Sequence, residues 1–179
     1  LLLNRVQKLS PHVELVSKIQ SISETPIVPY YSSDLCYIMY TSGSSGVPKG
    51  VMIENRSVVS LVKETNYTEI NSLDRILQLS NYAFDGCIYD IFGALLNGAS
   101  LYLISNDDIS LPENLCAYIK RHQINKTFIT TALFNVLIDF EPEIIKQFDK
   151  IYFGGQEVSN RHAIIAWKKK KKLDSIVNI

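Results

Sequence analysis

Between Thr41 and Gly50 the chain reads "TSGSSGVPKG". Four hydroxyl side chains (Thr41, Ser42, Ser44, Ser45), three glycines (Gly43, Gly46, Gly50) and one lysine (Lys49) fall within ten residues. The glycines let the backbone turn sharply and bring N–H groups up to a ligand. The hydroxyls add further donors, and Lys49 adds a point charge suited to phosphate. Such a set is what a polyphosphate requires. It is not a Walker loop, G-x-x-x-x-G-K-[ST]: the spacing from Gly43 is G-x-x-G-x-x-K-G, no Ser or Thr follows the lysine, and Pro48 opposes the tight turn into a helix. A plain Ser/Gly linker would not normally lie between an apolar strand, "LCYIMY", and a second strand and helix, "GVMIENRSVV".

The elements that must hold this loop alternate. Strands are predicted at 35–40, 75–80, 100–105, 126–131, 150–155 and 176–179, from short β-branched and aromatic runs. Helical patterns lie between them. One starts at Asn55 as its cap, and one over 87–98 is ended by Gly98. One over Ser110 to His122 carries an S-x-x-E capping box (Ser110, Glu113) with Pro112 in its first turn. Two more follow, "ALFNVLIDF" and a helix capped by Ser159. This alternation predicts an α/β fold, a mostly parallel sheet with helices on both faces. Ligands in such folds bind beyond the carboxyl ends of the strands. Three segments are placed at that edge: the loop after Tyr40, the "NYAFDG" turn after Ser80 and the "GGQE" turn after Phe153. Read by itself, Asp85 in "NYAFDG" is a turn aspartate positioned to cap the next helix.

Composition narrows the function. The 179 residues are 46% hydrophobic and 20% charged, an ordinary globular balance. With 18 basic and 18 acidic residues there is no net field to draw in nucleic acid or a membrane surface. No apolar run reaches the roughly 18 to 20 residues that cross a bilayer. Cys36, Cys87 and Cys116 fit neither a disulfide framework nor a zinc site, and read as reduced, mostly buried thiols of a cytoplasmic protein. The sequons at Asn55, Asn66 and Asn125 read as chance matches, Lys168–Lys172 as a solvated helix end, and His12, His122 and His162 as scattered surface or helix residues.

At this length of pattern a family resemblance emerges. "LCYIMYTSGSSGVPKGVMIENRSVV" resembles the phosphate-binding signature of the adenylate-forming enzymes, and more narrowly the amino-acid adenylation domains of nonribosomal peptide synthetases. Cys36 replaces the family's Ala and Ser45 its Thr, which keeps the hydroxyl. "NYAFDGCIYDIFGALLNGASLYL" is similar to the family's Phe-Asp-x-Ser segment, with Cys87 where Ser is usual. "TFITTALFNVL" resembles a segment lining the acyl pocket. "IYFGGQEVS" resembles the Gly-Gly-Glu turn, with Gln156 in the glutamate position and Glu157 one place later.

The resemblance implies part of the large N-terminal subdomain of an adenylate-forming enzyme. It implies attack of a carboxylate on ATP with Mg2+ present, then transfer of the acyl group to a phosphopantetheine thiol on a carrier domain, beside condensation domains of the same synthetase. Thr41, Ser42, Gly43, Ser44, Ser45, Gly46 and Lys49 would hold the ATP phosphates, and Asp85 would pair with the α-ammonium of an amino acid. Gly86, Tyr89, Thr130, Tyr152 and Gly154 would line the acyl pocket, Gly86 and Gly154 leaving room, which leans towards an uncharged side chain. Asp90 would be structural. No catalytic residue is assigned, and Lys49 is not the family's catalytic lysine, which lies in a C-terminal subdomain. A fatty or aryl acid ligase, which has no use for Asp85, and a degenerate non-catalytic module remain open. The chain lacks an initiator Met and stops before the family's adenine-binding turn, so it reads as a partial adenylation domain, 1–179, within a larger enzyme. The expected outcome for the isolated chain is pyrophosphate exchange no higher than in a Lys49→Ala control.

Overall fold

The structure, a computed structural model, describes residues 29–42, 46–105, 109–170 and 176–178. The chain divides into two compact units, Leu1–Tyr30 and Tyr31–Ile179. Nearly all described residues belong to the second.

That unit opens with a ribbon, β1 (Leu35–Thr41) and β2 (Lys49–Glu54), followed by α1 (Asn55–Val62). Then come β3 (Arg75–Gln78), α2 (Gly86–Leu96), β4 (Ser100–Leu103), α3 (Pro112–His122) and β5 (Lys126–Thr130). The chain continues through α4 (Thr131–Phe140), a 3-10 turn (Pro142–Gln147), β6 (Lys150–Gly154), α5 (Asn160–Lys170) and β7 (Ile176–Asn178). Five strands form one sheet in the order β4-β3-β5-β6-β7, every neighbour parallel. Strand alternation sends Leu77, Ile129, Ile151 and Phe153 to one face, where they are buried with Leu115 and Ile119 of α3 and Phe134 and Leu137 of α4. Phe134 and Phe153 stack with ring centres 4.1 Å apart. On the opposite face Tyr89 of α2 meets Tyr152 of β6. The sheet is thus covered on both faces, as expected from its near-continuous apolar strands.

After β3 the chain crosses one face through α2 to β4; after β4 it crosses the other face through α3 to β5, on the far side of β3. The connections leaving β3 and β5 therefore diverge, and a crevice opens beyond the carboxyl ends of these two strands.

Four local expectations are corrected. The loop after Tyr40 does not leave the parallel sheet: β1 pairs antiparallel with β2, so the loop is the tip of a separate ribbon. Nor is β1 buried: Cys36, Tyr37, Met39 and Ile53 pack towards Val58, Cys87 and Ile88, while Ile38, Tyr40 and Met52 are exposed. A run apolar at every position hides the alternation that separates a one-sided ribbon from a buried strand. The cap of α1 is Glu54, without a side-chain cap bond, and the Asn55 side chain instead donates to the Tyr31 carbonyl at 3.1 Å. The cap of α3 is Leu111, again without a side-chain cap bond, because Pro112 begins the helix and leaves Ser110 one residue too early. The Gly98 and Ser159 assignments match: Gly98 has φ +70°, and the Ser159 hydroxyl accepts from the His162 N–H at 3.4 Å.

The amino ends of β3, β5 and β6 are joined by polar side chains. Asn125 accepts from the Arg75 N–H at 2.8 Å and donates to Asp74 at 2.9 Å and Asp149 at 2.8 Å. The amide of this chance sequon is thus fully engaged in the fold. Lys126 and Asp74, both buried, form an ion pair at 2.5 Å. Removing one partner strands the other in the interior, at a cost of about 3–5 kcal/mol. Asp74→Ala should lower stability by this amount in urea unfolding, and Asp74→Ala with Lys126→Met should recover much of the loss.

Candidate functional site

Two cavities lie within the second unit, the first on the face of the sheet that carries α2. The first, about 510 Å³, is bordered by Tyr37 of β1, Leu61 of α1, Tyr67, Tyr89, Tyr152 and Val177. The second, about 470 Å³, lies at the crevice beyond β3 and β5, bordered by Ser80, Asn81, Phe84, Thr130, Gly154 and Gly155. Asp85, Gly86 and Phe128 border both.

The turn between β3 and α2 is rigidly specified. Asn81 accepts from the Ala83 N–H at 2.9 Å, an Asx turn, and its carbonyl accepts from the Phe84 N–H at 2.9 Å. The carbonyl of Ser80 accepts from the Gln78 side chain, and its N–H donates to Asp90 at 3.4 Å. Asp85 occupies the cap position of α2, but its backbone is already helical (φ −65°, ψ −20°) and its side chain makes no cap bond. The capping role is therefore not taken up. The exposed carboxylate forms no ion pair among the described residues. It stands where the two cavities meet.

Asp90, one turn deeper, is fully buried, and its Oδ1 has no hydrogen-bond partner. Burial pushes its pKa up to about 7, against the opposing pull of the Ser80, Leu79 and Phe128 backbone groups. This carboxyl is a structural prop under the turn, and its raised pKa means that it keeps its proton through the mildly acidic range.

The tyrosines form one cluster. Tyr89 and Tyr152 meet edge to face with ring centres 5.0 Å apart, and Tyr67 meets Tyr152 at 6.2 Å. Tyr152 donates to the Tyr67 carbonyl at 3.1 Å, and Lys150 donates to the same oxygen at 2.6 Å. The buried Tyr89 hydroxyl has no partner, and burial raises its pKa. Burial likewise raises the pKa of Cys87, and that of Cys116 to about 11, so neither is a poised nucleophile.

At the ribbon tip, Thr41 and Lys49 are paired across the neck of the loop, the Thr41 hydroxyl facing the Lys49 carbonyl at 3.5 Å. Gly46 is left-handed at φ +78°. Gly43, Ser44 and Ser45 lie outside the described residues.

These motifs decide the family. The chain matches the AMP-binding enzyme family over residues 4–177. It belongs to that family. Among curated proteins, this AMP-binding chain is 53% identical over 131 residues to bacitracin synthase 1 of Bacillus licheniformis, covering 73% of the chain and 2% of that synthase. It is 42% identical over 137 residues to tyrocidine synthase 3 of Brevibacillus parabrevis, covering 76% and 2%. Among solved structures it is similar to a holo NRPS protein containing adenylation and PCP domains, bound to a vinylsulfonamide inhibitor. There the TM-score is 0.80 at 25% identity, over 92% of this chain and 28% of that one. The N-terminal subdomain of Klebsiella oxytoca NpsA in complex with anthranilyl-AMSN aligns with TM-score 0.73 at 25% identity, over 82% and 39%. The chain thus spans 2% of the length of either synthase.

Of the residues singled out in the sequence, Asp85 and Gly86 border both cavities, Tyr89 and Tyr152 the first, Thr130 and Gly154 the second. Thr130 also caps α4, its hydroxyl accepting from the Leu133 N–H at 3.2 Å. Sequence reasoning missed Phe128 and Thr131. The Thr131 hydroxyl donates to the carbonyls of Gly154 (3.1 Å) and Gln156 (2.8 Å) and so fastens the Gly-Gly-Gln turn. The Thr-Thr pair at the strand end is the signal that could have found it: one hydroxyl for the cap, one for the neighbouring turn.

Asp90 yields a pH prediction. Its folded pKa lies above the ordinary value of 3.8, so the folded chain holds a proton that the unfolded chain releases. Its contribution to stability is complete below about pH 4 and is lost as pH rises through about 7. In urea unfolding at stepped pH, wild type should lose stability over this window relative to Asp90→Asn, the two converging at the acid end.

Proposed function

We propose that this chain is part of an amino-acid-activating adenylation domain of a nonribosomal peptide synthetase. The observation that carries this reading is Asp85, a carboxylate at the start of a helix that it does not cap, standing at the junction of an apolar cavity and the sheet-edge crevice. A carboxylate so placed suits an ammonium group, and a charge-assisted contact of this kind orients the substrate as well as binding it.

In the proposed reaction a carboxylate oxygen of the amino acid attacks the α-phosphorus of ATP. A new P–O bond forms, the bond to the β-phosphate bridge breaks, and pyrophosphate leaves with its electron pair. Such chemistry needs positioning and charge neutralisation more than covalent help. Thr41, Ser42, Gly43, Ser44, Ser45, Gly46 and Lys49 serve the phosphates. Asp85 holds the amine, and Gly86, Tyr89, Thr130, Tyr152 and Gly154 border the space for the rest of the substrate. Mg2+ would accompany the triphosphate and offset its charge. The acyl group then passes to the phosphopantetheine thiol of a carrier domain, beside condensation domains of the same synthetase, in the cytoplasm. Among the described residues no helix is long and apolar enough to cross a membrane.

A second reading, an aryl acid ligase, draws on the structural similarity to the NpsA N-terminal subdomain in complex with 3-hydroxybenzoyl-AMSN, an acyl group without an amine. The discriminating experiment is acid-dependent ATP–pyrophosphate exchange by the intact synthetase, across the twenty amino acids with aryl and fatty acids beside them. Exchange is expected with one or a few amino acids. Asp85→Ala, which removes the charge-assisted contact to the substrate ammonium, should cut it by about 10- to 100-fold. Lys49→Ala should weaken it for every acid alike. Exchange only with acids lacking an amine would move the chain to the ligase reading, and none with any acid to a non-catalytic one.

A further inference from the structure

Phe128 is the one large side chain common to both cavities, and its position is fixed by a residue that has no side chain. A Cβ on Gly86 would stand 2.8 Å from Phe128 Cε1 and 3.0 Å from Cδ1, closer than carbon atoms approach. The ring therefore lies directly on the Gly86 backbone and fills the space a side chain there would take. Its strand neighbour across the sheet is Tyr152, in register, and Lys126 and Thr130 flank it on the same face. Its backbone is held by the pairing with Tyr152 on one side and by the Leu77–Thr127 pairing just before it on the other.

Two routes leave the Asp85 carboxylate. One runs along the sheet edge past Ser80, Asn81 and Thr130, which supply hydroxyl, amide and backbone groups suited to the phosphate and acyl end of a substrate. The other runs inward to the space bordered by Tyr67, Tyr89 and Tyr152, suited to a mainly apolar side chain. The Phe128 ring stands between them. Resting on the amino-acid reading above, we propose that Phe128 is a specificity-determining residue, a fixed partition between the mouth of the site and the tyrosine-lined cavity that admits slender side chains and rejects broad ones. Exclusion of this kind discriminates by a clash with the wrong substrate, not by a stronger grip on the right one.

The test compares wild type, Phe128→Ala and Phe128→Leu in the intact synthetase by amino-acid-dependent pyrophosphate exchange. The readout is the ratio of kcat/KM for aromatic and γ-branched substrates to that for small and unbranched ones. A ratio is indifferent to how much of each variant folds, and Phe128→Leu retains most of the packing should Phe128→Ala be poorly folded. The ratio should rise about tenfold or more in Phe128→Ala and less in Phe128→Leu, mainly through KM for the broad substrates. Gly86→Ala, which presses a methyl group on the ring, should shift the ratio relative to wild type, and Phe128→Ala in the same chain should erase that shift. An unchanged ratio with uniformly lower activity would make Phe128 a packing residue and overturn the proposal, as would a wild type that already prefers aromatic side chains. Wild-type exchange with no amino acid would overturn the amino-acid reading, and this proposal with it.

Discussion

The parallel pairing of β3 with β5 is the constraint on which the rest of the site depends. Arg75 and Asn125, which join these strands, are 50 residues apart in sequence, so the pairing closes a long loop and must recover the chain entropy that this costs. It does so with polar groups at the amino ends, where Asn125 bridges three strands, and with the buried Lys126–Asp74 pair. The Thr127 hydroxyl adds a bond to the Leu77 carbonyl at 3.2 Å. With the amino ends fixed, the carboxyl ends come level. The Ser80–Asp85 turn and the Thr130–Thr131 strand end then open on one crevice. Because β4 lies on one side of β3 and β5 on the other, no crossing connection fills it.

The same lysines shape the cavity beside the crevice. Lys126 donates to the Glu69 carbonyl at 2.6 Å and Lys150 to the Tyr67 carbonyl at 2.6 Å. Their aliphatic stems run over the sheet while their charged ends tie down the segment after α1. The tyrosines can then present ring faces to the cavity, with the Tyr152 hydroxyl turned to that same segment. An apolar wall made from tyrosines needs such anchoring, since a buried hydroxyl without a partner costs free energy. The Tyr89 hydroxyl and Thr68 Oγ1, both buried, lack one among the described residues.

Much of this was legible in the sequence. Strand–helix alternation gave the parallel sheet, and the turns after Ser80 and Phe153 were placed at its carboxyl edge, where they lie. The chemistry proposed for the Ser- and Gly-rich loop was legible but its position was not, because an apolar run does not reveal which neighbour its strand will choose. Asn125 looked like a chance sequon, because what it joins depends on Asp74 and Asp149, distant in sequence. Phe128 was not singled out in the sequence. Its meaning depends on its contact with Gly86, a tertiary fact with no local signature. Gly86 was read as making room, and the room it makes is occupied by that ring.

Asp85 and Asp90 show how a single helix start can give two carboxylates opposite tasks. They are five residues apart, more than one turn, so the first lies at the exposed tip of α2 and the second against the sheet. Asp90 is withdrawn from water, accepts from the Ser80 N–H and steadies the turn, with its pKa pushed up by burial to about 7. Asp85 is at the helix terminus, where backbone N–H groups are unsatisfied and the helix dipole favours a negative charge. Its helical backbone angles deny it the geometry of a cap, so the charge has no task within the fold. A turn held from below by a buried acid thus offers an exposed one at its tip, where an ammonium group could pair with it at no cost to a contact the fold requires.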